Sequence, residues 1–357
     1  MLTFFFFPDI VNMLPIIHDI HRYVHFMKEE KQMKILIFGA GVIGCEIAHE
    51  LCCGNNDITL LARGSWRETI ARKGLVIRHS GQFHTTVDHV QTIENLEQDD
   101  FYDLIIVVMQ YNQMQKVLSE LAENISHNIL FVGNNMTPSA CQNEIIQNTS
   151  VYKNIAFGFQ GSGGKRKKDK VISMHFRPSM TLGGLCNNLS SDYRKFLQDA
   201  FSGTKYQLVW ETYMEGWLLS HAAHILPTAY LCYILQYNLK QVSREQVRLS
   251  VKAVAEAHQM LKQLGYPIRP DREADTYSVY EKKKNRSLYF FLKSPAGKFV
   301  ISIHCANAIS EMLALSSAFD ELRNKSDSAM PSWDSLRKEA LISLGEDGCN
   351  KSFSRAH

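Results

Sequence analysis

One short segment restricts the fold more than any other. Lys34-Ile-Leu-Ile-Phe38 is an apolar run of β type, it passes directly into Gly39-Ala40-Gly41-Val42-Ile43-Gly44, and helical periodicity then covers residues 42–53. A Gly-x-Gly-x-x-Gly turn in isolation says little, but a strand before it and a helix after it give each glycine a physical task. Gly39 permits the tight turn, Gly41 lets the backbone approach an anion, and Gly44 lets helix and strand pack closely. The helix N-terminus adds unpaired N–H groups and partial positive charge. Residues 39–44 are therefore expected to hold the pyrophosphate of a dinucleotide.

The pattern beyond the turn keeps alternating between short β-rich runs and helical ones. Residues 57–61, 104–109, 129–133 and 154–158 read as strands, and 114–122 and 138–146 as helices. Leu104-Ile-Ile-Val-Val-Met109 is apolar throughout, as expected of a central strand covered on both faces. The expected fold class is α/β: an N-terminal Rossmann-type doubly wound parallel sheet over residues 33–205, followed by an all-helical C-terminal domain over 206–342. Helices are expected at 211–239, 243–264, 272–286 and 299–322. Strand-like 171–176 and 180–182 read as a hairpin edge, with the basic run Gly161 to Lys170 as a solvated turn. Residues 1–32 read as a leader outside the fold, because Pro8, Asp9 and Asn12 interrupt an apolar start far shorter than the roughly 20 residues that cross a bilayer. Residues 343–357 read as a disordered tail.

Charge and cysteine usage narrow the partners. Lys plus Arg (39) nearly balances Asp plus Glu (36), a net charge of +3, which argues against nucleic acid and against an anionic membrane surface. The eight cysteines form no Cys-x-x-Cys pair and no zinc-type spacing with histidine, so no metal site is expected and the thiols suit a reducing, cytoplasmic setting. A small-molecule substrate is the expected partner. The second strand ends Leu61-Ala62-Arg63-Gly64-Ser65, where an NAD enzyme usually offers a carboxylate to the ribose hydroxyls. Arg63 suits the 2′-phosphate of NADP(H) instead, with Ser65 and Arg67 as helpers.

With the glycine turn, the Leu61-Ala62-Arg63-Gly64 run and the helical second half in place, the chain from about Met33 to Ala340 resembles the ketopantoate reductase (2-dehydropantoate 2-reductase) family of NADPH-dependent 2-oxoacid reductases. Val132-Gly133-Asn134-Asn135-Met136 resembles that family's Asn-Gly-Met turn. Residues 217–229 resemble the first helix of its C-terminal domain, and His304-Cys-Ala-Asn-Ala-Ile-Ser-Glu-Met312 a late helix. The resemblance implies a Rossmann domain joined to a helical domain similar to the C-terminal one of 6-phosphogluconate dehydrogenase, and an active site in the cleft between them; a homodimer is the protein assembly considered beside the small-molecule substrate. It places Asn134 beside nicotinamide and substrate, and Gln110 where several members carry a lysine for the NADPH phosphate.

The helix at 217–229 departs from the family. Members typically carry a lysine two residues after the tryptophan, then asparagines four and eight residues beyond it, on one helix face. Here those positions are Leu219, Ala223 and Pro227. The lysine is the family's expected proton donor, so ketopantoate itself is not the expected substrate, and no confident match exists for the family's C-terminal glutamate. Histidines are the candidate substitutes, because hydride addition to a carbonyl leaves an alkoxide that needs a proton. His221 lies about 200° around the helix from Leu219 and so faces away from the inherited site. His224 falls one residue beyond the Ala223 position and is preferred, and His304 at the late helix is the second candidate. The expectation is thus an NADP(H)-dependent reductase of a small 2-oxoacid or related carbonyl. Its rivals are a cofactor-binding sensor or scaffold that has lost the chemistry, and a dehydrogenase acting on an opine-like or hydroxyacid substrate.

Overall fold

The protein is described by a computed structural model, with residues 32–79, 84–161, 163–174, 178–186 and 189–345 as the described ones. Residues 1–31 of the expected leader and 346–357 of the expected tail lie outside them.

The chain begins β1 (Lys34–Phe38), α1 (Val42–Cys53), β2 (Asp57–Leu61), α2 (Gly64–Lys73), β3 (Leu75–His79), β4 (His84–Asp88), β5 (Gln91–Ile93) and β6 (Leu104–Val108). It continues through α3 (Tyr111–Met114), a 3₁₀ turn at Gln115–Val117, α4 (Leu118–Glu123), β7 (Asn128–Val132), α5 (Pro138–Asn148) and β8 (Asn154–Gln160). Then come β9 (Gly163–Arg166), β10 (Val171–Met174), β11 (Ser179–Gly183), α6 (Ser191–Ala200) and β12 (Gln207–Trp210). The main sheet has the order β12-β11-β8-β7-β6-β1-β2-β5. It is parallel from β8 to β5, with β11 antiparallel to β8.

Period-two alternation sends successive residues of one strand to opposite faces. In β1, Ile35 and Ile37 join the core cluster that includes Ile47 and Leu51 of α1, while Leu36 and Phe38 join the one that includes Leu118 of α4 and Ile145 of α5. Every residue of β6 is buried, as its unbroken apolar run requires. The result is the expected doubly wound sheet. Its strand order reverses between β1 and β6, which opens a crevice at the carboxyl ends of these two strands.

Several expectations are corrected. Residues 171–174 and 180–182 do not form one hairpin: β10 pairs back with β9, whereas β11 joins the main sheet, and residues 175 and 176 of the expected strand lie outside the described ones. β9 and β10 extend β3 and β4 into a second sheet of order β4-β3-β10-β9. The run at 161–170 is accordingly partly strand and not simply a solvated turn, and Gly164 lies so close to α1 that a Cβ there would fall 2.8 Å from Val42 Cγ1. The main sheet also runs through β12 to Trp210, past the expected boundary at 205.

The remainder is helical: α7 (Met214–Ile234), α8 (Arg244–Gln263), α9 (Glu273–Tyr277), α10 (Glu281–Lys293), α11 (Pro295–Gly297), a π turn at Lys298–Ser302, α12 (Ile303–Asn307), α13 (Ile309–Arg323) and α14 (Pro331–Leu344). The start of α8 is fixed by reciprocal bonds, in which Ser243 Oγ accepts from Gln246 N and Gln246 Oε1 accepts from Ser243 N. The expected helices at 272–286 and 299–322 are each broken. The helix α14, absent from the sequence expectations, covers residues 343 and 344 of the supposed tail and buries Trp333 against Phe319, with ring centroids 4.4 Å apart. Among the described residues no single helix is long and apolar enough to cross a membrane.

Candidate functional site

The glycine turn occupies the crevice between β1 and β6. Gly39 has φ +130°, and a Cβ on it would fall 2.1 Å from Val108 O at the end of β6. A Cβ on Gly44 would fall 1.9 Å from Gly39 O, so the first turn of α1 can lie against the loop only without a side chain. Gly41 differs: a Cβ there meets nothing within 4 Å. That open space faces the N-terminus of α1, where N–H groups have no helical partner. Gly39 and Gly44 thus stand where the turn and the packing of α1 leave no room for a side chain, while the position beside Gly41 is open.

Trp66 braces the turn from α2, its Nε1–H donating to Ala40 O at 3.0 Å. The Arg166 guanidinium of β9 stands over the Trp66 ring, 5.6 Å from its centroid, which brings the second sheet beside the same turn. Arg63 is the residue preceding α2 and is exposed. The register pairs Phe38 with Leu61, so Arg63 emerges at the sheet edge that carries the turn. Arg67 is held by Glu94, with Nη1 3.3 Å from Oε2. Gln110 is the half-buried residue preceding α3, on the far side of the crevice after β6.

Beyond β7 two adjacent asparagines have different surroundings. Asn135 Oδ1 accepts from Thr137 N at 2.8 Å, and Nδ2 donates to Met114 Sδ at 3.1 Å, contacts that shape the loop. Asn134 is only 8% exposed; its Nδ2 donates to Glu311 Oε1 at 3.3 Å, while its Oδ1 is buried with no partner. A buried amide oxygen without a donor is costly and marks a place where a ligand N–H can complete the set.

Glu311 was not singled out by sequence reasoning. It lies on α13, is 4% exposed, and also accepts from Tyr111 N at 3.3 Å. Burial raises its pKa, opposed by the Asn134 hydrogen bond, by His304 and by Tyr111 N. The sequence signal was slight, a single acid within the apolar run Ile309 to Leu315.

The expected catalytic histidines, His224 and His304, both lie near enough to His221 to act on its charge. His224 turns toward α9, with Nδ1 3.4 Å from Glu273 Oε1 and 2.6 Å from the Tyr277 hydroxyl. His221, expected to face away from the inherited site, packs against the sheet and not in the cluster that holds Leu219: its ring stacks on Trp217 with centroids 5.0 Å apart and lies 4.2 Å from that of Phe159 in β8. Burial there, aided by His224 and His304, pushes its pKa down to about 3. His304 is exposed on α12, near enough to Glu311 to influence its charge. Leu219 is 1% exposed and Ala223 fully buried, both in the apolar cluster that includes Met136. The helix face expected to correspond to the family's polar positions is therefore apolar packing. No group of three or more His, Cys, Asp or Glu suited to a metal ion occurs among the described residues.

A glycine turn at a topological switch point, an exposed arginine after β2 and a helical second half define the class: an NAD(P)-binding Rossmann-type protein with a helical C-terminal region. Residues 35–186 match the sequence model of the family described as ketopantoate reductase PanE/ApbA, so this part of the chain is of ketopantoate reductase type. Solved structures extend the likeness in fold to nearly the whole chain. D-mandelate dehydrogenase, in its ternary structure with NADH and anilino(oxo)acetate, superposes with a TM-score of 0.69 at 18% identity, covering 87% of this chain and 98% of its own. The 2-dehydropantoate 2-reductase from Methylococcus capsulatus gives 0.69 at 16% identity, covering 89% and 98%. That from Geobacter metallireducens GS-15 gives 0.67 at 16%, covering 87% and 99%. A comparison with curated protein sequences finds no match.

Proposed function

We propose that the protein is an NADPH-dependent reductase of a small 2-oxoacid or related carbonyl compound, and that ketopantoate is not its substrate. The observation that carries this reading is the open space at Gly41, flanked by the exposed Arg63 on one side of the crevice and by the buried, unpartnered Asn134 Oδ1 on the other. The turn and the start of α1 hold the pyrophosphate, Arg63 reads the 2′-phosphate, and Asn134 Oδ1 accepts from the nicotinamide amide. Bound in this way, the reduced cofactor supplies a hydride to a carbonyl carbon. The chain contributes the rest. Asn134 and Gln110 bound the reacting end, and Leu219 and Ala223, packed in the apolar cluster with Met136, offer no polar group to a ketopantoate held as in the family.

The packed Leu219 favours one other reading, an NADP-binding sensor or scaffold without turnover. NADPH fluorescence titration followed by turnover against a panel of 2-oxoacids, aldehydes and ketones separates the two. Micromolar binding with oxidation by some panel member supports the reductase. Binding with no oxidation supports the sensor, and no binding refutes both.

A further inference from the structure

Loss of the family's lysine leaves the proposed reaction without a proton source. Among the polar groups around Asn134, one buried acid is aimed at the same place. Glu311 Oε1 takes both the Asn134 Nδ2–H and the Tyr111 N–H, at 3.3 Å each, which leaves Oε2 free to carry a proton. These bonds cross from α13 to the loop after β7 and to the start of α3, so the carboxyl is held at the crevice by the sheet-bearing part although it belongs to the helical part.

We propose that Glu311 is the proton donor of this site, its carboxyl delivering a proton to the carbonyl oxygen of the bound substrate. The inference rests on the reductase reading given above. As the carbonyl carbon gains a hydride, the C=O π pair moves onto oxygen, which takes the proton from the Glu311 O–H. The O–H electrons stay on Glu311 as carboxylate, and water then restores the proton. Atoms and charge balance, with reduced nicotinamide as the only reductant.

Two features keep the donor form available. Burial disfavours the carboxylate and is the leading influence on Glu311. What opposes burial is the Asn134 hydrogen bond first, then His304 and the Tyr111 N–H, and none of these is a lysine or arginine. A 2-oxoacid entering the site brings a second negative charge, which further favours the protonated acid. A neutral carboxylic acid in an apolar site is a competent general acid near neutral pH. Asn134 has a double part: its Nδ2 orients Glu311 while its Oδ1 stays free for the ligand.

The test compares the full chain with Glu311→Gln, which keeps the shape and an oxygen for both N–H donors but has no proton to give. The first readout needs no cofactor: infrared spectra of each protein from about pH 5 to about pH 9. The wild type is expected to show a protonated-carboxyl band at neutral pH that Glu311→Gln lacks. The second is NADPH affinity by fluorescence, expected to agree within about twofold, and the third is NADPH oxidation with the carbonyl panel, expected to fall about 100-fold or more. Glu311→Asp, which keeps an acid at shorter reach, is expected to retain the band and part of the turnover, and it serves if Glu311→Gln does not fold. A wild type ionised at neutral pH overturns the proposal, as does turnover retained in Glu311→Gln. Turnover absent from the wild type itself, with NADPH bound, overturns the reductase reading together with the donor role.

Discussion

Replacing Gly41 and Gly44 in turn separates cofactor binding from folding within a single loop. Gly41 has φ −77° and ψ −172°, a conformation open to any L residue, and a Cβ there meets nothing of the protein within 4 Å. Gly41→Val should therefore cost under about 1 kcal/mol of stability, the scale of an N-cap substitution. The valine instead fills the space assigned to the pyrophosphate. Losing two charge-assisted hydrogen bonds at about 1.5–3 kcal/mol each corresponds to about 100-fold or more in NADPH affinity. Gly44→Ala is the opposite case, since its Cβ would fall 1.9 Å from Gly39 O. The backbone must move, an overpacking cost of about 1–3 kcal/mol, or several degrees in melting temperature. Differential scanning fluorimetry and NADPH fluorescence read the two effects. A Gly41→Val protein that binds NADPH with wild-type affinity, or a Gly44→Ala protein that melts with the wild type, would refute the roles given to these glycines.

Arg63→Ala should weaken NADPH by about tenfold or more while leaving NADH nearly unchanged, because only the former carries the 2′-phosphate; equal losses in paired titrations would mean that Arg63 reads another group. Leu219→Lys with Ala223→Asn should raise a very low ketopantoate reduction rate and lower the melting temperature, since both positions are buried in apolar packing and an ammonium there is poorly solvated; ordinary ketopantoate turnover by the wild type would contradict this. His221 has a folded pKa of about 3 against an ordinary 6.5, so its neutral form is the stabilised one. Its contribution is full above pH 6.5 and is lost as pH falls toward 3, and His221→Phe should therefore flatten the decline in stability between those values in denaturant titrations.

Features set by local chemistry were legible in the sequence. The turn at 39–44 follows its strand directly and opens its helix, and the run Leu104 to Val108 announces a strand covered on both faces, so the sheet and its crevice could be placed without coordinates. Features made by distant pairing were not. β3 meets β10, with Ile77 opposite Val171, and nothing in either segment names its partner across that separation. The mixed composition of His84 to Asp88 and the glycine-rich start of β9 further masked the second sheet. The same limit applied at the site. Asn134 was readable from the turn that holds it, but Glu311 reaches it from 177 residues away. Helical angles set His221 on a different face of α7 from Leu219 but leave open which face meets the sheet; here the His221 ring lies against Trp217 and Phe159.

A crystal structure of the protein grown with NADPH tests the assignment of the crevice most directly. The pyrophosphate is expected against the amides at Gly41 and Val42, the 2′-phosphate at the Arg63 guanidinium, and the nicotinamide amide within hydrogen-bond distance of Asn134 Oδ1 with Glu311 facing its reactive side. Cofactor bound elsewhere, or bound with the nicotinamide remote from Asn134 and Glu311, would contradict it.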